Sequence, residues 1–193
     1  MRTFVIRLLT SFLLSLGCAA ISHGQGSLSP AKPDLSGTWA FDRGRSNVGK
    51  TSSPNSDIKI LHHDPELRIV RTIDFNGQTI HSELTYYTDG RGETNPTTIW
   101  LSTSPNPKSP RPAETKSRTS WSGERVVIRS RLRLMVGIHV IEEDLVDEWK
   151  LSADGKTLTQ TTRHKMLPTS SDGAIYTPSN RPDDKRVYTL VSK

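Results

Sequence analysis

From Leu67 to the C-terminus, apolar and polar side chains alternate in short runs separated by turn-forming pairs. A period of two puts successive side chains on opposite faces of an extended chain, so each run reads as a strand with one buried face. Leu67–Phe75 and Gln78–Tyr87 flank Asn76-Gly77, a pair that tolerates the positive φ of a tight hairpin. Ser122-Gly123 stands likewise between Glu114–Trp121 and Glu124–Leu134, and Asp154-Gly155 between Glu142–Leu151 and Thr157–Lys165. Lys185–Val191 is the last such run. No stretch keeps an apolar period of 3.6, so little helix is expected, at most one turn near 42–50. The prediction is an all-β chain: a single antiparallel up-and-down β-barrel of about 8–10 strands.

Two segments break the rhythm. Residues 104–112 carry four prolines, which lack the donor a sheet ladder needs, and 168–184 is rich in Ser, Gly and Pro. Both read as exposed loops. At the other end, Arg2 and Arg7 precede an apolar run, Leu8 to Leu16, and small residues from Cys18 to Gly24. That is the build of a secretion signal. The organisation expected is a signal peptide at 1–24, a flexible linker at 25–33 and a barrel domain at 34–193, giving a secreted or periplasmic protein. Cys18, the one cysteine, leaves with the leader, so a mature chain holds no disulfide or thiolate metal site. A lipid anchor at Cys18, which follows Gly17, is the alternative.

With 193 residues, 33% hydrophobic, the chain suits one domain. Its 26 Lys+Arg against 20 Asp+Glu give a formal charge of +6. Arg125, Arg129, Arg131 and Arg133 share a strand face, which raises nucleic acid as a partner. No aromatic platform interleaves with them, and Glu142, Asp144 and Glu148 follow on the next strand. A charge-paired outer face is therefore expected, and no nucleic acid. Gly44 to Thr51 fits the phosphate-loop pattern G-x-x-x-x-G-K-[ST], but Ser52–Asp57 is turn material where that loop requires a helix. No nucleotide is expected. The histidines form no metal-binding spacing and there is no G-x-S-x-G, so neither a metal nor a cofactor is implied.

Leu35-Ser-Gly-Thr-Trp39, Tyr87-Thr-Asp-Gly90, Thr119-Ser-Trp-Ser-Gly123 and Glu148-Trp-Lys-Leu-Ser-Ala-Asp-Gly-Lys-Thr-Leu158 give most of residues 34–191 a recognisable order. In that order the chain resembles the calycins, the lipocalin and fatty-acid-binding-like barrels, and among them exported bacterial lipocalin-like proteins. The resemblance implies a barrel floor built on Gly37 and Trp39, with a late-strand cation, Arg163 or Arg186, over the indole. It also implies a non-covalently bound small molecule, apolar or amphipathic.

If Trp39 and Phe41 face inward, alternation also turns Ile69, Ile73, Ile80, Leu84, Ile128 and Leu132 inward. The polar residues on the same face are Arg71, Ser130, Glu143, Asp147, Gln160, Thr162 and His164. An apolar cup with a few convergent polar groups is the usual form of a small-molecule site. Arg71, Glu143, Asp147, Gln160 and His164 are the candidate ligand-binding residues. An inward Arg71 calls for Glu143 or Asp147 beside it, or for an anionic ligand. Two other functions fit the pattern. One is an interaction protein with a filled barrel, working through loops 104–112 and 168–184. The other is an isomerase or hydrolase using His164 with Glu143 or Asp147, which requires hydrogen-bond reach between them.

Overall fold

The alternating runs pair with their sequence neighbours as hairpins, in a computed structural model that describes residues 32–49, 55–75, 78–101, 109–136, 139–171, 174–176 and 182–193. The strands are β1 (Gly37–Phe41), β2 (Ile58–His63), β3 (Glu66–Phe75), β4 (Gln78–Tyr87), β5 (Glu93–Leu101) and β6 (Ser109–Ser122). They continue as β7 (Arg125–Val136), β8 (His139–Leu151), β9 (Thr157–Leu167), β10 (Thr169–Ser171), β11 (Ala174–Tyr176) and β12 (Asp184–Ser192). Ten of them form one antiparallel sheet in the order β4-β3-β2-β1-β12-β9-β8-β7-β6-β5. Since β1 pairs with β12, the sheet curls until its two edge strands, β4 and β5, lie against each other. The result is a nearly closed up-and-down barrel. β10 and β11 make a separate small hairpin in the passage from β9 to β12.

The strand starts and turns follow the sequence closely. Gly123 and Gly155 take φ of +60° and +68° in the β6–β7 and β8–β9 turns, where a side chain would be strained. The Asn76-Gly77 turn lies outside the described residues, but the hairpin it joins is in register from Glu66↔Tyr87 to Phe75↔Gln78. No helix occurs among the described residues; 43–45 form a turn. The leader, Cys18 and most of the linker fall outside them.

Both expected loops hold some strand: 168–184 contains β10, β11 and the first residue of β12. The proline-rich stretch 104–112 is not loop throughout, because Ser109–Pro112 already belong to β6. Pro110 pairs with Trp100 and Pro112 with Thr98 on β5, whereas pairing with β7 begins only at Lys116↔Arg131. This part of β6 has a ladder on one side only. Two prolines two residues apart can turn their missing donors to the unladdered side, which proline tolerates at a sheet edge.

One end of the barrel is plugged. Trp39, Leu35, Ile58, Ile60, Leu67, Ile69, Val126, Trp149, Leu158 and Tyr188 form a continuous buried cluster. The segment before β1 crosses that end and is tied down there. The Trp39 indole N–H donates to the Leu35 carbonyl at 3.1 Å, and the Leu35 N–H donates to His62 Nδ1 at 3.3 Å. Asp64 accepts from Trp121 Nε1 at 2.8 Å, from Lys32 Nζ at 3.0 Å and from Thr88 Oγ1. Desolvation would raise that carboxyl, yet these hydrogen bonds hold it down at about 2. Gly37 is required by close packing, since a Cβ there would stand 2.8 Å from Leu190 Cδ1 and 2.9 Å from the Ser192 carbonyl oxygen. Arg163 faces outward to Glu148 and so is not the cation over Trp39. Arg186 faces inward opposite Gln160, and the Trp39 N–H is spent on Leu35.

Candidate functional site

Above the apolar plug the interior becomes polar, and the register says why. On β8, Glu143, Asp147 and Trp149 lie opposite Leu132, Ile128 and Val126 of β7; on β9, Gln160, Thr162 and His164 lie opposite Arg186 and Asp184 of β12 or Leu145 of β8. Arg71 sits on β3 between the buried Ile69 and Ile73, opposite Ile58. All five candidate ligand-binding residues therefore share the inward face.

They assemble into two hydrogen-bonded groups. In the lower one, Asp147 Oδ1 accepts from Gln160 Nε2 at 3.0 Å and from Thr162 Oγ1, and the Tyr188 hydroxyl reaches Gln160 Oε1 at 3.5 Å. In the upper one, His164 Nδ1 lies 2.9 Å from Glu143 Oε1, and its Nε2 lies 3.5 Å from Asp184 Oδ2. Asp184 also lies 3.9 Å from Arg186 Nη1, and its Oδ1 accepts the Gly49 N–H at 2.7 Å. His164, Glu143, Asp184 and Arg186 are each about 95% withdrawn from solvent at their side chains, within the 4–7% that remains exposed.

Arg71 joins neither group. It makes no ion pair with Glu143 or Asp147, and its Nε–H is buried without an acceptor. Trp149, stacked on Tyr188 with ring centroids 6.2 Å apart, leaves its indole N–H equally unpartnered. Burial pushes the Tyr188 phenol up, and the positive fields of Arg71 and Arg186 reach it and oppose that rise. Burial likewise raises the Tyr86 phenol, assisted by Asp147 and opposed by Arg71. Burial lowers the Arg186 guanidinium, and the charge of Arg71 adds to this. Two buried donors, on Arg71 and Trp149, thus have nothing to donate to, and the charges of Arg71 and Arg186 both act on Tyr188.

Asp184, Arg186, Tyr188 and Trp149 were not among the sequence-derived site residues. The alternation Asp184-Lys-Arg-Val-Tyr188 carries the signal for three of them, but the Ser/Gly/Pro-rich composition up to Asp184 reads as loop and hides the first strand residue. Of the phosphate-loop lookalike, residues 44–49 are described, and Lys50 and Thr51 lie outside the described residues. The described part lies antiparallel to β12 at Asn47, which exchanges backbone hydrogen bonds with Lys185, and the N–H of Gly49 goes to the Asp184 carboxylate. On the outside, Arg125 and Arg163 meet Glu148, Arg131 meets Asp144 at 2.7 Å, and Arg133 meets Glu142 at 3.3 Å. No group of three or more metal-ligating side chains occurs among the described residues.

Fold and site together define a class: a ten-stranded antiparallel barrel, apolar at its closed end and polar above, compatible with a lipocalin-like architecture. No protein-family model, curated protein or solved structure matches the chain.

Proposed function

We propose that this is an exported barrel that binds one small amphipathic molecule non-covalently, with the anionic end of the ligand at Arg71. The observation that carries the reading is the buried Arg71 Nε–H, which has no acceptor on an inward face whose acids Asp147 and Glu143 bond elsewhere. A buried donor left unmade costs about 1–3 kcal/mol, and an anion is the partner that relieves an unpaired guanidinium N–H. A barrel of about eight strands is just wide enough to be filled by side chains or to hold one small ligand, and ten give more room. The aliphatic side chains of β3 and β7 supply the apolar wall.

The isomerase or hydrolase reading draws support from the 2.9 Å contact between His164 and Glu143. Against it, both imidazole nitrogens already face carboxylates, Glu143 and Asp184, whereas a general base needs one nitrogen turned to its substrate.

A fluorescence titration with 1-anilinonaphthalene-8-sulfonate, an amphipathic anion, tests the proposal. One saturable site is expected, weakened about tenfold or more by Arg71→Gln, as follows from the loss of one charged hydrogen bond. A neutral naphthylamine analogue should not distinguish the two proteins. Equal affinity of the sulfonate for both would overturn the reading.

A further inference from the structure

The outer face of β6 and β7 breaks the pairing rule that the neighbouring strands obey. Arg118 lies directly opposite Arg129, and one rung along, Lys116 lies directly opposite Arg131. All four are exposed. Like charges facing each other across an antiparallel pair destabilise it. On its other side Arg129 faces Val146, where Arg125, Arg131 and Arg133 each have an acid within reach on β8. The two acids diagonal to Arg129 are taken: Glu148 by Arg125 and Arg163, Asp144 by Arg131. Arg118, Arg129 and Lys116 thus have no ion pair among the described residues.

These side chains border a shallow groove of about 660 Å³ that crosses β6, β7 and β8, from Lys116 and Arg118 to Asp144 and Val146. Among the residues whose side chains are described, the exposed large hydrophobics, Leu61 and Val191, are on other strands, and the groove is bordered chiefly by charged side chains. What it offers is two exposed arginines on directly opposed positions of neighbouring strands, with a lysine two residues, about 7 Å, along the strand. A fork of planar donors matches a tetrahedral oxyanion two oxygens at a time.

We infer that Arg118 and Arg129, with Lys116 beside them, form a binding site for a phosphate monoester group on the outside of the barrel. A dianion between the forks replaces a repulsion by two bidentate contacts. This site is independent of the interior: it faces the opposite side of the sheet and uses none of the residues assigned to the ligand there. The phosphate could be free or the headgroup of a phosphatidic-acid type lipid, which present the same chemistry.

Calorimetric titration of the purified full chain with inorganic phosphate at low ionic strength tests the site, with a parallel flotation assay on vesicles containing phosphatidic acid or only phosphatidylcholine. One phosphate per chain is expected, with affinity reduced about tenfold by Arg118→Gln or Arg129→Gln. Arg163→Gln at Glu148 and Arg68→Gln at Glu83 should leave it unchanged. Because removing either arginine also removes the repulsion, Arg129→Gln should melt no lower than the wild-type chain without phosphate, and phosphate should raise the melting point of the wild type alone. Saturable binding of free phosphate assigns a soluble ligand; binding only to phosphatidic-acid vesicles, lost in the variants, assigns a lipid headgroup. No arginine-dependent binding of either would overturn the inference, as would phosphate binding that Arg71→Gln abolishes.

Discussion

His62 bears on the closed end of the barrel through a single lone pair. Its Nδ1 accepts the Leu35 N–H, so the ring must be neutral there, with its proton on the buried Nε2. Burial lowers its pKa from the ordinary 6.5, although Asp34 and Asp64 pull the other way. A histidine with a depressed folded pKa leaves the native state at full strength above about pH 6.5, and the advantage is lost as pH falls through the folded value. Urea unfolding should therefore show the wild-type chain losing more stability between pH 7.5 and 5 than His62→Asn, whose amide oxygen can accept the same N–H without titrating. Parallel losses in both proteins would remove His62 from the account. Trp39, two bonds away in the same network, is fully buried. Its truncation to Ala should cost about 3–5 kcal/mol in the same assay; a cost near zero would mean that the floor does not rest on the indole.

Among the elements, the seam between β4 and β5 is the place where the barrel is closed by side chains. Asn95 donates from Nδ2 to the Thr85 carbonyl and accepts the Thr85 N–H at Oδ1, both at 2.8 Å, so one amide stands in for a missing strand neighbour. Glu93 Oε2 accepts the Tyr87 N–H across the same seam at 3.4 Å, while its Oε1 accepts from Ser117 and Thr119 of β6 at 2.7 and 2.8 Å. Unladdered strand edges invite pairing with other chains. Asn95→Ala should cost about 1–3 kcal/mol for the two partners left unmade, and hydrogen exchange at the Thr85 amide should rise well beyond the change elsewhere. Protection of Thr85 unchanged in the variant would show that the backbone alone holds the seam. The strands on either side differ in how readable they were. β3, β4, β7, β8 and β9 alternate apolar residues and end at Gly-containing turns, so their existence and inward faces followed from sequence. β5 did not, because Glu93-Thr-Asn-Pro-Thr-Thr98 has no apolar alternation and holds a proline suited to an edge. β2 is short and ends in two histidines. Nor can local pattern show that β1 closes on β12, a pairing between the two ends of the domain.

For the molecule as a whole, the decisive feature is how charge is distributed between the two faces of one sheet. Outside, acids and bases mostly answer each other across β7 and β8. Inside, the acids are occupied, Asp147 by Gln160 and Thr162 and Glu143 by His164, while Arg71 is left with a buried donor and no carboxylate. Alternation put Arg71, Glu143, Asp147, Gln160 and His164 on the inward face. It could not say which of them would find one another, since that depends on the stagger between strands and on Asp184 and Arg186 arriving from β12. An unanswered cation beside inward acids that are already engaged is the feature on which the proposed ligand rests. The most direct measurement is native mass spectrometry of the chain titrated with dodecanoate, a single-tailed carboxylate. One adduct per chain, lost from Arg71→Gln at the same concentration, is the predicted result; a bare chain at every concentration, or adducts that ignore the substitution, would contradict it.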